Sequence, residues 1–221
     1  GVLNGGLYLL DRIMAKLTGG KARIIRYLLV AQPVPAEAAG KPVAIVAGRS
    51  RIRPVTPGDP VEQAFPRPAE VIALRQASGA ACIVAEVSER FAGFIWLARS
   101  EYEEDEVRCT YVLAEPAVSA WDYDVYVTPD FRLGRTLSRL WGAANAHLAS
   151  SGVRWSFSRI SSFNPDSIAA HARLGIRTVG HATFLRLGPV QLMLADLAPY
   201  IHISLGTTSR PRLRLTPPAH P

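Results

Sequence analysis

The chain has 221 residues, 48% of them hydrophobic and 19% charged, with 17 Gly, 17 Pro and two Cys. Length and composition fit one large domain, or a domain with an extension, and exclude a disordered chain; no run of about 18 uncharged apolar residues offers a membrane-spanning helix. The net charge of +7 is uneven: residues 1–130 carry 14 basic and 16 acidic side chains, whereas residues 131–221 carry 11 basic and 2 acidic.

In chain order, residues 7–18 place Leu7, Leu10, Met14 and Leu17 on one helical face, and Gly19-Gly20 stops the helix. Residues 22–34 read as a strand ended by Pro33, residues 36–42 as a loop and residues 42–55 as a second strand. Pro54, Pro57, Pro60, Pro66 and Pro68 leave only Glu70–Ala77 as a credible helix. ACIVAEV and FAGFIWLAR form a hairpin around Ser88-Glu89-Arg90, EVRCTYVLAE is a further strand, and WDYDVYV is another with clean alternation. The period then changes: Thr136–Ser150 is helical, with Leu137, Leu140, Trp141, Ala144 and Leu148 on one face. VRWSFSRI is a strand, PDSIAAHARLG a short helix closed by Gly175, and RTVGHATFLRL and PVQLMLADL are strands. An antiparallel run followed by alternating strands and helices indicates a mixed α/β sheet. Residues 207–221 read as a poorly ordered tail.

A positive second half points to a negative partner: nucleic acid, a membrane surface, a phosphorylated molecule or an acidic carrier protein. Arg132, Arg135, Arg139, Arg154, Arg159, Arg173 and Arg177 are spread over several elements, which argues against nucleic acid. Cys82 and Cys109 lack metal-ligand spacing and read as reduced core thiols, with a disulfide as the alternative. No secretory leader is read, and the expected location is the cytoplasm.

Two segments carry candidate chemistry. In WDYDVYVTPDFRLGRTLSRLW, residues 121–141, a strand runs to Val127, Pro129 breaks it, and a helix starts near Arg135. The backbone N–H groups of a helix start suit phosphate, Gly134 permits close backbone approach, and Arg132 and Arg135 add positive charge. An ordinary strand–turn–helix connection is the alternative. In SRISSFNPDSIAAHARLGIRTVG, residues 158–180, Asn164 opens a helix as its cap. His171 follows two turns on, on the face shared with Asn164 and Ser167. A capped helix with a surface histidine is the alternative.

Together these segments resemble the GNAT superfamily of N-acyltransferases. Its pattern is a strand ending V-x-P, then R-x-x-G-x-G or G-A, a helix, a strand, then N-x-x-S/A, a Tyr or His, and L-G-F. Val127-Thr128-Pro129, Arg132, Leu140, Asn164, Ser167, His171 and Leu174-Gly175 stand at the family's spacings. IRTVGHATFLRLG resembles the phosphinothricin-acetyltransferase-like branch, and the resemblance spans about residues 80–195. It implies a mixed, mostly antiparallel sheet flanked by helices, with a splay between two parallel strands that holds acetyl-CoA or another acyl-CoA as co-substrate. Carried over, Val125, Tyr126 and Val127 pair with the pantetheine arm, and Arg132, Leu133, Gly134, Arg135, Thr136 and Leu137 hold the pyrophosphate. Asn164 and Ser167 contact the donor, and His171 stands where many members place the Tyr that protonates the leaving thiolate. In one departure the two family glycines fall on Arg135 and Leu137, with Gly134 one residue early. Either the turn is rebuilt around Arg135 as a phosphate ligand, or the donor is an acyl-carrier protein, which brings the same arm with one phosphate.

The acceptor amine must lose a proton, and Asp122, Asp124 and Glu106 are the candidate carboxylates. Alternation puts Asp122 and Asp124 on one face, a catalytic pair or a solvated sheet face. The acidic run from Glu101 to Glu106 attracts a cationic amine or forms a solvated hairpin tip, and Trp96, Tyr102 and Trp121 line an acceptor pocket or belong to the core. The basic, amphipathic N-terminal helix covers the sheet of its own domain, lies on a membrane, or meets a second copy in a homodimer. The expected organisation is a helix–strand extension (1–43), a GNAT-like domain (44–198) and a tail (199–221). The expected function is N-acyl transfer from acyl-CoA to a small-molecule amine by direct attack, without a metal. The alternatives are a carrier-protein-dependent N-acyltransferase making an acylated amino acid or lipid-like product, and an inactive GNAT module that binds an acyl thioester.

Overall fold

A computed structural model describes residues 2–99 and 101–219 of the chain. In chain order the elements are α1 (Val2–Leu17), β1 (Ala22–Pro33), β2 (Ile45–Ala47), β3 (Ser50–Val55), α2 (Ala69–Ala77), β4 (Ala81–Val87) and β5 (Arg90–Ala98). There follow β6 (Glu101–Glu103), β7 (Thr110–Leu113), β8 (Ser119–Val127), α3 (Thr136–Ser150), β9 (Trp155–Ser161) and α4 (Pro165–Ala172). The chain closes with β10 (Arg177–Leu187), β11 (Val190–Ala195), β12 (Ile201–Leu205) and β13 (Arg212–Leu215). The class is mixed α/β, with mostly antiparallel strands flanked by helices, as the sequence pattern indicates.

The chain divides into two compact units with interleaved segments: Gly1–Pro33, Ser100–Glu115 and Phe157–Pro221 form one, and Val34–Arg99 and Pro116–Ser156 form the other. In the first, β12, β11, β10, β1 and β9 lie in that order. Strand β1 pairs antiparallel with β10 from Ala22↔Leu187 to Ala31↔Arg177, so residues 22–31 are built into this sheet rather than set apart as an extension. Tyr27, Leu29, Phe157, Phe184 and Met193 are buried there. Helix α1 is anchored by Asp11, a buried carboxylate that accepts from Arg23 Nε and from the Ile24 N–H, both at 2.8 Å.

The C-terminal residues depart from the sequence expectation. Instead of a loose tail, β12 extends the sheet and β13 runs parallel to β7, with Leu213 opposite Tyr111 and Leu215 opposite Leu113. Leu213 and Leu215 are fully buried, and that burial orders a segment whose Pro- and Arg-rich composition alone suggested disorder. The acidic run is a hairpin tip solvated only in part: Glu101, Glu103, Asp105 and Glu106 are exposed, whereas Glu104 is not. Glu104 is buried and receives both Arg159 Nε (2.5 Å) and Nη2 (2.6 Å), Glu106 accepts from the Tyr27 hydroxyl, and Glu101 pairs with Arg212. Burial works against the Arg159 cation, but its bonds to Glu104 outweigh that and hold its pKa above the ordinary guanidinium value.

In the second unit the order is β8-β5-β4-β3-β2, antiparallel throughout. The expected strand over 42–55 is a short hairpin broken at Gly48, whose φ of +60° turns the chain. The β4–β5 turn is the expected one, with Ser88 and Glu89 both at positive φ. On one side α3 buries Leu140, Trp141, Ala144 and Leu148 against Ile52, Ile83, Ile95 and Ala120. Cys82 and Cys109 are both free, buried thiols, and burial pushes the Cys109 pKa up to about 12. Among the described residues no helix is long and apolar enough to cross a membrane.

Leu213→Ala is expected to lower the unfolding free energy by ~2–5 kcal/mol, the range for emptying a buried leucine site, measured by urea titration. A loose tail would leave stability unchanged.

Candidate active site

The first motif lies wholly in the second unit. Strand β8 carries an extra residue relative to β5: Trp96 faces Tyr123 and Phe94 faces Tyr126, so two strand steps on β5 match three on β8. Asp124 sits in this bulge with a φ of 48°. The bulge corrects the expected alternation, because it parts the two aspartates. Asp122 is buried and accepts from the Ser156 hydroxyl at 2.6 Å. Asp124 is bracketed by arginines: Arg67 Nε donates to Oδ2 at 2.8 Å, Arg67 Nη2 to Oδ1, and Arg75 Nη1 to Oδ2 at 2.5 Å. A backbone approach from β5 makes room for this. A Cβ on Gly93 would stand 2.4 Å from the Tyr126 carbonyl oxygen.

Both guanidinium groups lie over aromatic rings. Arg75 is 5.1 Å from the Tyr123 centroid and 5.5 Å from that of Trp96, while Arg67 is 5.8 Å from Phe94 and 6.0 Å from Tyr126. Arg75 comes from α2, where it shares the inward face with Ile72, and Arg67 from the extended Pro66-Arg67-Pro68 segment before that helix. Sequence reasoning missed both arginines. The one available signal was an Arg three residues after a core Ile on a helix. Beside them, Asp59, Glu62, Phe65, Arg67, Ile72 and Gln76 are among the residues lining a cavity of about 420 Å3. Of the aromatic residues expected to line an acceptor pocket, Trp96 is fully buried beneath Arg75, Trp121 is fully buried, and Tyr102 lies on β6 in the other unit.

Beyond β8 the chain makes a single helical turn at Pro129–Phe131 and enters α3. Arg132 Nε donates to the Val127 carbonyl at 3.1 Å, and the Gly134 N–H donates to the Phe131 carbonyl at 3.2 Å. Arg132, Leu133, Gly134 and Arg135 are exposed, whereas Thr136 is buried under the first turn of α3. The helix start has neither a side-chain cap nor an acidic residue in its first turn. Its first N–H groups therefore meet a neighbourhood charged by Arg132 and Arg135, where the helix dipole also favours an anion. Val125, Tyr126 and Val127 are half-buried on the approach.

The second motif lies in the first unit. Asn164 caps α4 as expected, accepting from the Ser167 N–H at 3.0 Å. His171, half-buried, lies with Nδ1 2.8 Å from the Ser167 carbonyl oxygen. A carbonyl only accepts, so Nδ1 carries the proton in this contact. Glu106, the third candidate base, belongs to this same unit and is engaged with Tyr27. Among the described residues no cluster of His, Cys, Asp and Glu suits a metal ion.

No family model matches the sequence, and no curated protein matches it. Solved structures do resemble the fold. A Drosophila protein of 14% identity superposes over 82% of this chain and 57% of its own, with a TM-score of 0.51. A tandem GNAT protein from the clavulanic acid biosynthesis pathway is 18% identical over 74% of this chain and 54% of its own, with a TM-score of 0.47. A GNAT family acetyltransferase from Elizabethkingia anophelis with acetyl-CoA bound is 12% identical over 57% of this chain and 75% of its own, at 0.43. The chain thus spans little more than half the length of the first two.

Asp124→Ala is expected to destabilise the protein by ~3–5 kcal/mol, because it removes the carboxylate that two partly buried guanidinium groups share. Thermal and urea unfolding would show it. Gly93→Ala is expected to cost ~1–3 kcal/mol as the bulge shifts away from the new methyl group.

Proposed function

We propose that the protein is an N-acyltransferase of the GNAT type, moving an acyl group from an acyl-CoA to a small-molecule amine in the cytoplasm. The observation that carries this reading is the order bulged strand, turn, uncapped helix start, with Arg132 at the spacing of the GNAT donor motif and Arg135 where that family places a glycine. In the proposed reaction the amine nitrogen bonds to the thioester carbon, the carbon–sulfur bond breaks, and the thiolate takes up a proton. Val125, Tyr126 and Val127 pair with the pantetheine arm, and Arg132 through Leu137 hold the phosphates, with Asn164 and Ser167 as further donor contacts. His171 supplies the thiolate's proton from Nε2. Both oxygens of Asp124 already accept guanidinium bonds, so its assigned role is to position Arg67 and Arg75. Asp122, buried against Ser156, braces the strand, and the amine gives its proton to water.

A carrier-protein thioester is the second reading for the donor, making an acylated amino acid or lipid-like product. Leu133 favours it: the side chain stands fully exposed between arginines at the turn, where an acidic helical partner with an apolar patch would dock. Turnover of acetyl-CoA, long-chain acyl-CoA and acyl-carrier-protein thioesters, followed by thiol release, separates the two donors. Release from none of them, with donor binding retained, would leave an inactive thioester-binding module.

Replacing Arg135 by Ala is expected to raise the KM for the donor severalfold with little change in kcat. His171→Ala is expected to lower kcat by ~10²-fold or more with the donor Kd unchanged, the usual scale for losing a positioned proton donor. An unaltered rate removes His171 from the mechanism.

A further inference from the structure

Helix α1 is docked by one face and leaves an apolar arc uncovered. The inward side is set by Asp11, whose bonds to Arg23 and the Ile24 N–H fix the helix's rotation, with Leu7 and Met14 partly buried beside it. At helical spacing Leu3, Leu9, Leu10, Ile13 and Leu17 fall together on the outward side. They are 63%, 61%, 45%, 46% and 80% exposed. The helix would gain nothing from these leucines in water alone.

Charge settles what fits this face. Asp11 is the only acidic side chain in residues 2–33, and it is buried and paired. Arg12 and Lys16 flank the arc, Lys21 follows the helix, and all three are exposed. The outward surface is therefore apolar in the middle and purely cationic at its margin. Continuity extends the patch: the Gly188 N–H donates to the Lys21 carbonyl at 2.8 Å, bringing the tip of the β10–β11 hairpin to the helix's C-terminal end. There Leu187, Val190 and Leu205 pair in register as an exposed apolar row.

We propose that α1 and this hairpin tip form a peripheral membrane-binding surface for anionic lipid, with Leu10, Ile13 and Leu17 entering the acyl boundary and Arg12, Lys16 and Lys21 meeting the headgroups. Apolar burial and headgroup charge act together here, the arrangement by which helices lie in a bilayer interface. A second copy fits less well, because a twofold contact through this arc brings Arg12 and Lys16 toward the same cations of its partner.

The test is co-sedimentation of the full chain with vesicles of phosphatidylcholine alone and of equal parts phosphatidylcholine and phosphatidylglycerol. Binding to the anionic vesicles only, weakened by added salt, is expected. Arg12→Gln and Lys16→Gln should each lower the partition coefficient about fivefold. Leu10→Gln with Leu17→Gln should abolish binding while the circular dichroism and Tm stay unchanged, because both side chains are exposed. Binding to neither vesicle, equal binding to both, or a solution dimer that the Leu10→Gln/Leu17→Gln protein no longer forms would each overturn the proposal.

Discussion

A carboxylate taken out of water needs a cation or hydrogen-bond donors beside it, and among the described residues arginine meets that demand at several places. Asp11 receives Arg23, Glu104 receives Arg159 and Asp124 receives Arg67 and Arg75. Removing one partner from such a pair leaves a charge with neither solvent nor counter-ion, which costs more than the pair itself contributes. Each arrangement is therefore a constraint on where a segment runs. Asp11 sets the rotation of α1 on β1, Glu104 ties the 101–106 run to β9, and Asp124 holds the approach to α2 against β8.

The same rule changes the meaning of the charge split between the two halves of the sequence. Arg159, Arg210 and Arg212 face Glu104, Glu103 and Glu101, so part of the positive excess after residue 130 answers the acidic run before it. What is left at the surface is more local and more informative. Arg132 and Arg135 stand exposed at an uncapped helix start, and Arg12 and Lys16 border an exposed apolar arc on α1. The first sits where a helix dipole also favours an anion, and the second adjoins an exposed apolar surface.

The bulge in β8 links backbone geometry to chemistry. One extra residue turns Asp124 away from Asp122 and into the arginine bracket, and Gly93 on β5 is the neighbour whose missing side chain makes room. Within the unit this brings a charged, aromatic-lined surface beside a cavity and leads directly into the turn before α3. A strict two-residue period would have given two carboxylates on one face and a different site.

Much of this was open to the sequence alone, for a local reason. Helix α3, the Asn164 cap, strand β10 and the Ser88-Glu89 hairpin follow from hydrophobic period, capping chemistry and turn position, each settled within about a dozen residues. The mixed α/β class was likewise present in the order of residues. Tertiary structure alone decided that β8 bulges at Asp124, that Arg67 and Arg75 close on it from 57 and 49 residues away, and that β13 is a buried strand. It also decided that α1 turns its leucines outward. These outcomes depend on which distant side chain satisfies a buried charge or covers an apolar one, and no local period encodes that choice.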